Sequence, residues 1–274
     1  CDAVHPGYGF LSENAGFAEA CAAAGITFVG PTTEQLRSFG DKGRARALAE
    51  ANDVPVIPGT EGPTSADEAE AFYAALPDGA AMMIKAISGG GGRGTRAVTG
   101  ADAVASTFER CRSEALAAFG NGDVYVERLV RRARHIEVQI LGDGSAVSQF
   151  GERECSVQRR YQKIVEVAPA PALDAELRDA IIGAAVRLAR AAGYRSLGTF
   201  EFLVDMDATG PASGRFFFIE ANARLQVEHT VTEMVTGVDL VQAQLQVAAG
   251  ASLAELGLAQ AAVPAARGFA IQAR

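Results

Sequence analysis

A strict alternation of apolar and polar side chains late in the chain constrains the fold most strongly. From residue 219 to residue 228 every second residue is polar. An extended chain places alternate side chains on opposite faces, so one face would carry all the polar groups. These are Glu220, Asn222, Arg224, Gln226 and Glu228. A half-buried strand that shows its polar face to solvent would give the same pattern, so a second signal has to decide.

The second signal is a turn-rich segment at 207–214, which separates two phenylalanine-rich stretches. If these stretches pair as a hairpin, Glu201 lies opposite Glu220, with Cβ atoms about 5 Å apart. Two carboxylates at that distance need a cation between them, and carboxylate and amide oxygens suit magnesium. We therefore predict a magnesium site at Glu201, Glu220 and Asn222. The alternative is a solvated pair, which the phenylalanines disfavour because they indicate buried surroundings.

A run of glycines at 89–92 lies between two predicted strands, with Lys85 before it and Arg93 after it. Such a loop exposes backbone N–H groups and tolerates positive φ, so it can fold over phosphates or act as a lid. It is not a Walker A loop, because the lysine precedes the glycines. A flexible loop without a ligand is the competing interpretation.

A basic segment at 154–163 suits anion capture in an otherwise acidic chain, although a solvated surface loop explains it equally well. The preceding predicted strand places His135, Glu137 and Gln139 on one face. A lone histidine on a strand is usually structural, and the three histidines show no metal-ligand spacing.

Composition excludes several classes of protein. The net charge of −8 disfavours a nucleic-acid partner. No apolar run is long enough for a transmembrane helix and no signal peptide is recognisable, so a cytoplasmic protein without a membrane partner is predicted. The four cysteines form no C-x-x-C pair, so neither a disulfide framework nor a structural zinc site is expected.

Helix and strand signals predict a mixed α/β (α+β) fold in three parts, 1–59, 60–130 and 131–274. Ser12 is the expected N-cap of the first helix, because an alanine-rich stretch follows it. The middle part is expected to be a small inserted subdomain. In the last part we predict a strand at 146–151, an irregular basic segment to residue 171, and the hairpin described above.

The motifs taken together resemble the biotin carboxylase component of biotin-dependent carboxylases, which belongs to the ATP-grasp superfamily. The resemblance spans essentially the whole chain in nine motifs that follow the family order. They are HPGYGFLSEN (5–14), FVGP (28–31), GDK (40–42), IKA with the glycine loop (84–86), RHIEVQ (134–139), CSVQRRYQK (155–163), ExAPAP (166–171), GTFEFL (198–203) and FIEANARLQVEH (218–229).

The resemblance implies an ATP-grasp fold whose glycine loop belongs to a lid subdomain, and it implies roles for particular residues. For ATP it implies Lys42, Lys85, the loop glycines Gly90, Gly91 and Gly92, the backbone around Glu127 and Leu129, and His135. For bicarbonate it implies Lys163, Arg224, Gln226, Val227 and Glu228, with Glu228 as the general base. For biotin it implies Tyr8, Gly9, His135, Gln158 and Arg274, the last of these stabilising the biotin enolate.

The implied chemistry is ATP-dependent carboxylation of biotin by bicarbonate, through carboxyphosphate, with magnesium or manganese. Tyr161 stands where the family usually has a histidine. The chain is expected to be truncated at both ends, with the biotinyl carrier domain and the carboxyltransferase elsewhere and a homo-oligomer in the full-length protein. An acyl-CoA acceptor is slightly favoured over pyruvate. Carbamoyl-phosphate synthetase is the alternative enzyme, and an inert module that docks nucleotide or carrier is the non-enzymatic alternative.

Overall fold

The chain forms two units in the computed structural model, which describes residues 1–88, 94–160, 162–208, 210–212 and 215–274. The larger unit comprises 1–56, 133–157 and 163–274, and the smaller unit comprises 57–132 and 158–162. The three-part division at 59 and 130 remains a prediction. Gly90, Gly91, Gly92, Arg93 and Tyr161 lie outside the described residues.

The chain contains both helices and strands, as the sequence patterns predict. In chain order the main elements are β1 (Ala3–Val4), α1 (Ala15–Ala23), β2 (Thr27–Phe28), α2 (Thr33–Gly40), α3 (Lys42–Glu50), α4 (Ala66–Ala74), β3 (Met82–Ala86), β4 (Thr95–Val98), α5 (Val104–Phe119), β5 (Val124–Arg128), β6 (Ala133–Asp143), β7 (Val147–Arg159), β8 (Gln162–Ala168), α6 (Ala175–Ala191), β9 (Arg195–Asp205), β10 (Phe216–Asn222), α7 (His229–Thr236), α8 (Leu240–Ala248) and β11 (Ala270–Ala273). No helix in the described part of the chain is long and apolar enough to cross a membrane.

The first helix begins two residues later than predicted. The side chain of Asn14, not that of Ser12, accepts a hydrogen bond from the backbone N–H of Phe17 and so caps α1. The hydroxyl of Ser12 is buried and donates instead to the carbonyl oxygen of Gly9, at 2.6 Å. Ser12 therefore closes the preceding turn, and the N-cap prediction was wrong.

The larger unit is built on a six-stranded sheet with the strand order β10-β9-β6-β7-β8-β11. One face of β9 and β10 carries Phe200, Phe202, Phe216 and Phe218, and Phe202 packs edge to face with both Phe216 and Phe218. They share a buried core with α6 and with the strand residues Ile136, Val138 and Ile140. Burying each such side chain contributes about 1.5–3 kcal/mol, so this face is committed to the core and charged groups collect on the other.

A one-residue bulge sets the pairing of the predicted hairpin. Phe218 lies opposite Phe202, but the register then shifts, so that Glu220 lies opposite Glu201. Had the register continued unshifted, Ile219 would face Glu201. The predicted opposition of Glu201 and Glu220 is confirmed, and the bulge is what produces it.

A second bulge lies in β7, where the sequence predicted the strand to end. The backbone of Gly151 has φ +82°, a conformation that favours glycine, and the register shifts at this point. Beyond it β7 continues to Arg159, and the following β8 is also regular. The irregular segment predicted up to residue 171 was therefore wrong, because the glycine marks a bulge and not the end of a strand.

The smaller unit has a three-stranded antiparallel sheet with the order β4-β3-β5. Helices α4 and α5 pack on it around Met82, Ile84, Phe108 and Val126, all of which are buried. Gly59 runs close to β5: a Cβ placed there would lie 2.5 Å from the carbonyl oxygen of Val126.

Candidate active site

A row of four charged residues crosses four neighbouring strands of the larger unit. In the strand register Arg153 on β7 lies opposite Glu137 on β6, Glu137 lies opposite Glu201 on β9, and Glu201 lies opposite Glu220 on β10. Opposed side chains on neighbouring strands have Cβ atoms about 5 Å apart, and like charges at that distance repel. Three adjacent carboxylates therefore require cations close to them.

Lys163, on β8, supplies the central cation. Its ammonium Nζ lies 2.5 Å from Glu137 Oε2, 2.9 Å from Glu201 Oε1 and 2.8 Å from Glu228 Oε1. Burial alone would lower the pKa of Lys163, but the nearby carboxylate charges, Glu137 first, outweigh it and raise the pKa well above its usual value. Lys163 therefore remains an ammonium group throughout the physiological pH range.

Glu201 is the most heavily contacted carboxylate of the row. Its Oε2 lies 2.5 Å from Nε2 of His135, and its Oε1 accepts hydrogen bonds from Asn222 Nδ2 at 2.7 Å and Gln226 Nε2 at 3.0 Å. Burial favours the neutral acid, yet the charges of Lys163 and His135 prevail and hold the pKa of Glu201 well below its usual value. Glu201 is consequently ionised.

His135 responds to the same partner. Burial would lower the pKa of its imidazole, but the charge of Glu201 and the hydrogen bond between them raise it instead. His135 is thus a partner of the row in this structure, and its predicted contacts with ATP and biotin stay predictions.

Glu220 ends the row, and its electrostatics are the reverse of those of Glu201. Burial first, and then the charge of Glu201, raise the pKa of Glu220, although Lys42 at the start of α3 acts in the opposite direction. A divalent cation would relieve this repulsion, and the neighbouring groups are the oxygen ligands that magnesium prefers. The two carboxylates have the right chemistry, but Asn222 turns its amide nitrogen to Glu201 and its amide oxygen to Arg224. The magnesium site at Glu201, Glu220 and Asn222 stays a prediction.

Two further groups of possible ligand atoms lie in the described part of the larger unit: His135, Glu137 and Glu201, and Glu137, Cys155 and Glu228. The ammonium group of Lys163 already contacts carboxylates of both groups. A cation placed there would compete with Lys163, so we assign no metal to either.

Glu228 lies between two cations. One carboxylate oxygen contacts Lys163, and the other accepts a hydrogen bond from Nη2 of Arg274. Arg274 Nε also lies 2.8 Å from Glu166, a carboxylate that is wholly buried. Glu228 thus contacts a cation on each side while it stays buried inside the site, and its role as a base stays a prediction.

The alternating segment does not continue as a strand beyond Asn222. Residues 223–228 connect β10 to α7, so the five polar groups do not share one strand face as the alternation predicted. They still converge, because Gln226 bonds to Glu201 and Arg224 Nη2 donates to Asn222 Oδ1 at 2.9 Å. The guanidinium of Arg224 also donates to Glu13, at 2.8 Å. Val227 lies half-buried in this connection.

In the smaller unit two of the predicted ATP ligands contact each other. The Nζ of Lys85 on β3 forms an ion pair with Glu127 on the neighbouring β5. The backbone N–H of Leu129 donates to the carbonyl oxygen of Ala81 at 2.7 Å. The strand pairing thus fixes this segment, and its contacts with adenine remain a prediction.

Three of the residues predicted to border biotin, Tyr8, Gly9 and Gln158, lie in other parts of the chain. Tyr8 is 54% exposed, and Gly9 lies in the same turn, where its carbonyl oxygen accepts two bonds from Ser12. Gln158 belongs to the smaller unit, near the end of β7. Their roles stay predictions.

Sequence reasoning missed two members of the row as site residues. Glu137 was placed on one strand face with His135, which was a usable signal, but it was given no role. Arg153 gave no signal, because the predicted strand ended before it. Its guanidinium is fully buried and donates to Glu137 Oε1 at 2.6 Å.

Comparison with known proteins gives two family matches. Residues 41–256 match the family described as carbamoyl-phosphate synthase L chain, ATP binding domain, and residues 1–36 match the biotin carboxylase N-terminal domain. The pyruvate carboxylase of Aspergillus niger is 54% identical over 274 residues, which cover 99% of this chain and 22% of that protein. The chain therefore spans about a fifth of the length of the curated relatives that it matches.

Solved structures agree with these matches. The biotin carboxylase of Campylobacter jejuni, in a β,γ-ATP complex, superposes with a TM-score of 0.91 at 42% identity, over 100% of this chain and 59% of that one. The biotin carboxylase domain dimer of the 2-oxoglutarate carboxylase of Hydrogenobacter thermophilus, in complex with MgADP, ADP and bicarbonate, also gives 0.91, at 40% identity. It is covered to 58%, again by all of this chain.

Proposed function

Because the chain belongs to the ATP-grasp family of the carbamoyl-phosphate synthase L chain ATP-binding domain, and within it to the biotin carboxylases, we propose that it catalyses the biotin carboxylase partial reaction. In this reaction ATP drives the carboxylation of biotin by bicarbonate. The observation that carries the proposal is the position of Glu228, a buried carboxylate held between Lys163 and Arg274 beside the charged row.

Glu228 acts as the general base for bicarbonate. It accepts the bicarbonate proton, a bicarbonate oxygen attacks the γ-phosphorus of ATP, and ADP leaves, which yields carboxyphosphate. Lys163 and Arg224 bind the anion, since both present cationic donors beside this segment. Gln226 and the backbone at Val227 orient it. These donors disperse negative charge as it develops in the transition state.

Glu201, Glu220 and Asn222 would hold magnesium or manganese, which supplies Lewis-acid stabilisation of the phosphate oxygens when bound. Lys42, whose charge already acts on Glu220, is assigned to the phosphates of ATP. In the smaller unit we assign phosphate contacts to Lys85 and the loop glycines 90–92, and adenine contacts to the backbone around Glu127 and Leu129.

Arg274 is assigned to the biotin ring, where its guanidinium would stabilise negative charge on the ureido group during carboxyl transfer. It already reaches Glu228, so the base and the carboxyl acceptor would be neighbours. Tyr8, Gly9, His135 and Gln158 would border the ring.

For the final acceptor, pyruvate fits the comparisons better than the acyl-CoA favoured by the sequence, because the curated relative described above is a pyruvate carboxylase. We propose that the complete protein also contains, or binds, a biotinyl carrier domain and a carboxyltransferase, and that it is a homo-oligomer. The cytoplasmic location remains a prediction.

The test is ATP hydrolysis by the full-length protein with magnesium, measured with and without bicarbonate and free biotin. Hydrolysis that requires bicarbonate and is increased by biotin supports the proposal. Bicarbonate-dependent hydrolysis that responds to ammonia instead would favour the carbamoyl-phosphate reaction, and nucleotide binding without turnover would favour an inert module. Incorporation of labelled bicarbonate into pyruvate, compared with acyl-CoA, then identifies the acceptor.

A further inference from the structure

The guanidinium of Arg153 is the most completely enclosed cation in the described part of the larger unit, and the proposed reaction gives it no role. Its exposure is 0%. It donates to five side-chain oxygens, which belong to three elements (β6, β9 and α7) and to the connection before α7. These are Glu137 Oε1 at 2.6 Å, Gln139 Oε1 at 2.7 Å, Thr232 Oγ1 at 2.9 Å, Thr199 Oγ1 at 3.1 Å and Gln226 Oε1 at 3.5 Å.

Stability alone is a weak reason for such a group. Burying an ion pair costs desolvation energy, and well-packed apolar residues of similar volume are often as stable or more so. The placement is also specific. Had the register continued unshifted from the pair of Ile140 and Gln149, Glu152 would lie opposite Glu137, and the bulge at Gly151 brings Arg153 there instead. Bulges next to active sites commonly re-aim a side chain in this way.

Through its hydrogen-bond partners, Arg153 acts on two groups that the reaction uses, Lys163 and Glu228. Glu137 gives one carboxylate oxygen to Arg153 and the other to Lys163, so the two cations share it. On its other side Arg153 reaches Gln226 and Thr232, which flank Glu228 along the chain. One rigid fork therefore fixes the partner of Lys163 and the segment that carries the base.

We propose that Arg153 is a positioning residue for bicarbonate. As the counter-ion of Glu137, it keeps that carboxylate compensated when Lys163 turns from its carboxylates to the substrate anion, and it holds Gln226 and the start of α7 in register with Lys163. This proposal rests on the proposed function, since it concerns the binding of the same bicarbonate.

The test uses full-length protein and measures KM for bicarbonate and for ATP in bicarbonate-dependent ATP hydrolysis. Arg153→Lys keeps the charge but loses the fork. We expect KM for bicarbonate to rise about tenfold, the effect of one charge-assisted hydrogen bond, while KM for ATP stays within twofold. Thr232→Val removes a single acceptor of Arg153, and a rise of about threefold is expected.

Thr236→Val is the matched control, because Thr236 is a buried threonine one turn further along α7 whose hydroxyl donates to the carbonyl oxygen of Thr232 and not to Arg153. If Arg153 is merely structural, Thr232→Val and Thr236→Val will lower melting temperature and activity alike and leave KM for bicarbonate unchanged, which would overturn the proposal. If Arg153→Lys does not fold, the two threonine variants decide. A wild-type protein without bicarbonate-dependent hydrolysis would instead overturn the proposed function, and this assignment with it.

Discussion

The two glutamates that flank Glu201 in the charged row, Glu137 and Glu220, are in opposite electrostatic states. At the Arg153 end, burial would raise the pKa of Glu137, but Lys163 and Arg153 outweigh it and the pKa is lowered. At the other end, burial and the charge of Glu201 raise the pKa of Glu220. Both are glutamates of one sheet, on the two strands that flank β9, so their difference comes from where the protein places its own cations.

This contrast indicates that the two parts of the row have different roles. The protein supplies permanent cations where it needs fixed geometry, around Glu137 and Glu201. It leaves Glu220 poorly compensated, and a divalent cation bound with the nucleotide phosphates would be stabilised most there. We propose that the row consists of a rigid half and an ion-binding half, and the following variants test that division.

The largest expected effect is on Glu228, which depends on the compensated half. Glu228→Gln removes the base while keeping its shape, so bicarbonate-dependent ATP hydrolysis should fall by about 10²–10⁴-fold. Nucleotide binding, measured by calorimetry, should stay within twofold. Glu50→Gln, at an exposed carboxylate on α3, is the control. A Glu228→Gln protein of normal rate would end the base assignment.

Removing the shared ammonium group should produce the next largest effect. Lys163→Met leaves carboxylates of Glu137, Glu201 and Glu228 without their common cation, and breaking a buried pair costs about 3–5 kcal/mol. Urea unfolding of the full-length protein measures this. Arg44→Met breaks a solvent-exposed pair with Glu34 and should leave the free energy of unfolding nearly unchanged. An equal loss of unfolding free energy in the two variants would show that Lys163 does not stabilise the carboxylates of the row.

At Glu220 the effect of a substitution on stability should have the opposite sign. Glu220→Gln removes a carboxylate whose charge is repelled by Glu201, so without magnesium the melting temperature should stay constant or rise. The magnesium concentration for half-maximal ATP hydrolysis should increase about tenfold, because a hard oxygen ligand has lost its charge. A clear loss of stability in magnesium-free buffer would contradict the contrast between the two ends.

The smallest effect concerns Glu166, a buried carboxylate outside the row. Burial first, and only then neighbouring carboxylates, raise its pKa above the ordinary value of 4.5, although Arg274 lowers it. A raised folded-state pKa means that the ionised form costs stability, so this penalty is absent below about pH 4.5 and grows as pH rises through the folded-state pKa. Glu166→Gln should therefore match wild type in acid and be slightly more stable at neutral pH, as thermal unfolding across that range would reveal. A stability difference independent of pH would contradict it.

Much of this site could be predicted from the sequence where the signal is local. The two phenylalanine-rich strands and the turn between them predicted the hairpin, and counting across the turn placed Glu201 opposite Glu220. The resemblance to a family supplied Lys163 and Arg274, which no local pattern would have connected. Neither the local pattern nor the resemblance identified Arg153. Gly151, in an extended segment, indicated the end of a strand, and only the pairing with β6 shows that it is a bulge.

The two bulges also allow the strands that carry the row to change in length by one residue. Each bulge adds one residue to its strand, at Gly151 in β7 and at Ile219 in β10. The extra residue lies between the part of the strand next to the hairpin turn and the part that carries the charged residue. Loss of the extra residue at either bulge can be absorbed by straightening the strand, with Arg153 still facing Glu137 and Glu220 still facing Glu201. The lengths of these two hairpins can therefore drift by a residue over evolution without moving the charges that the chemistry needs.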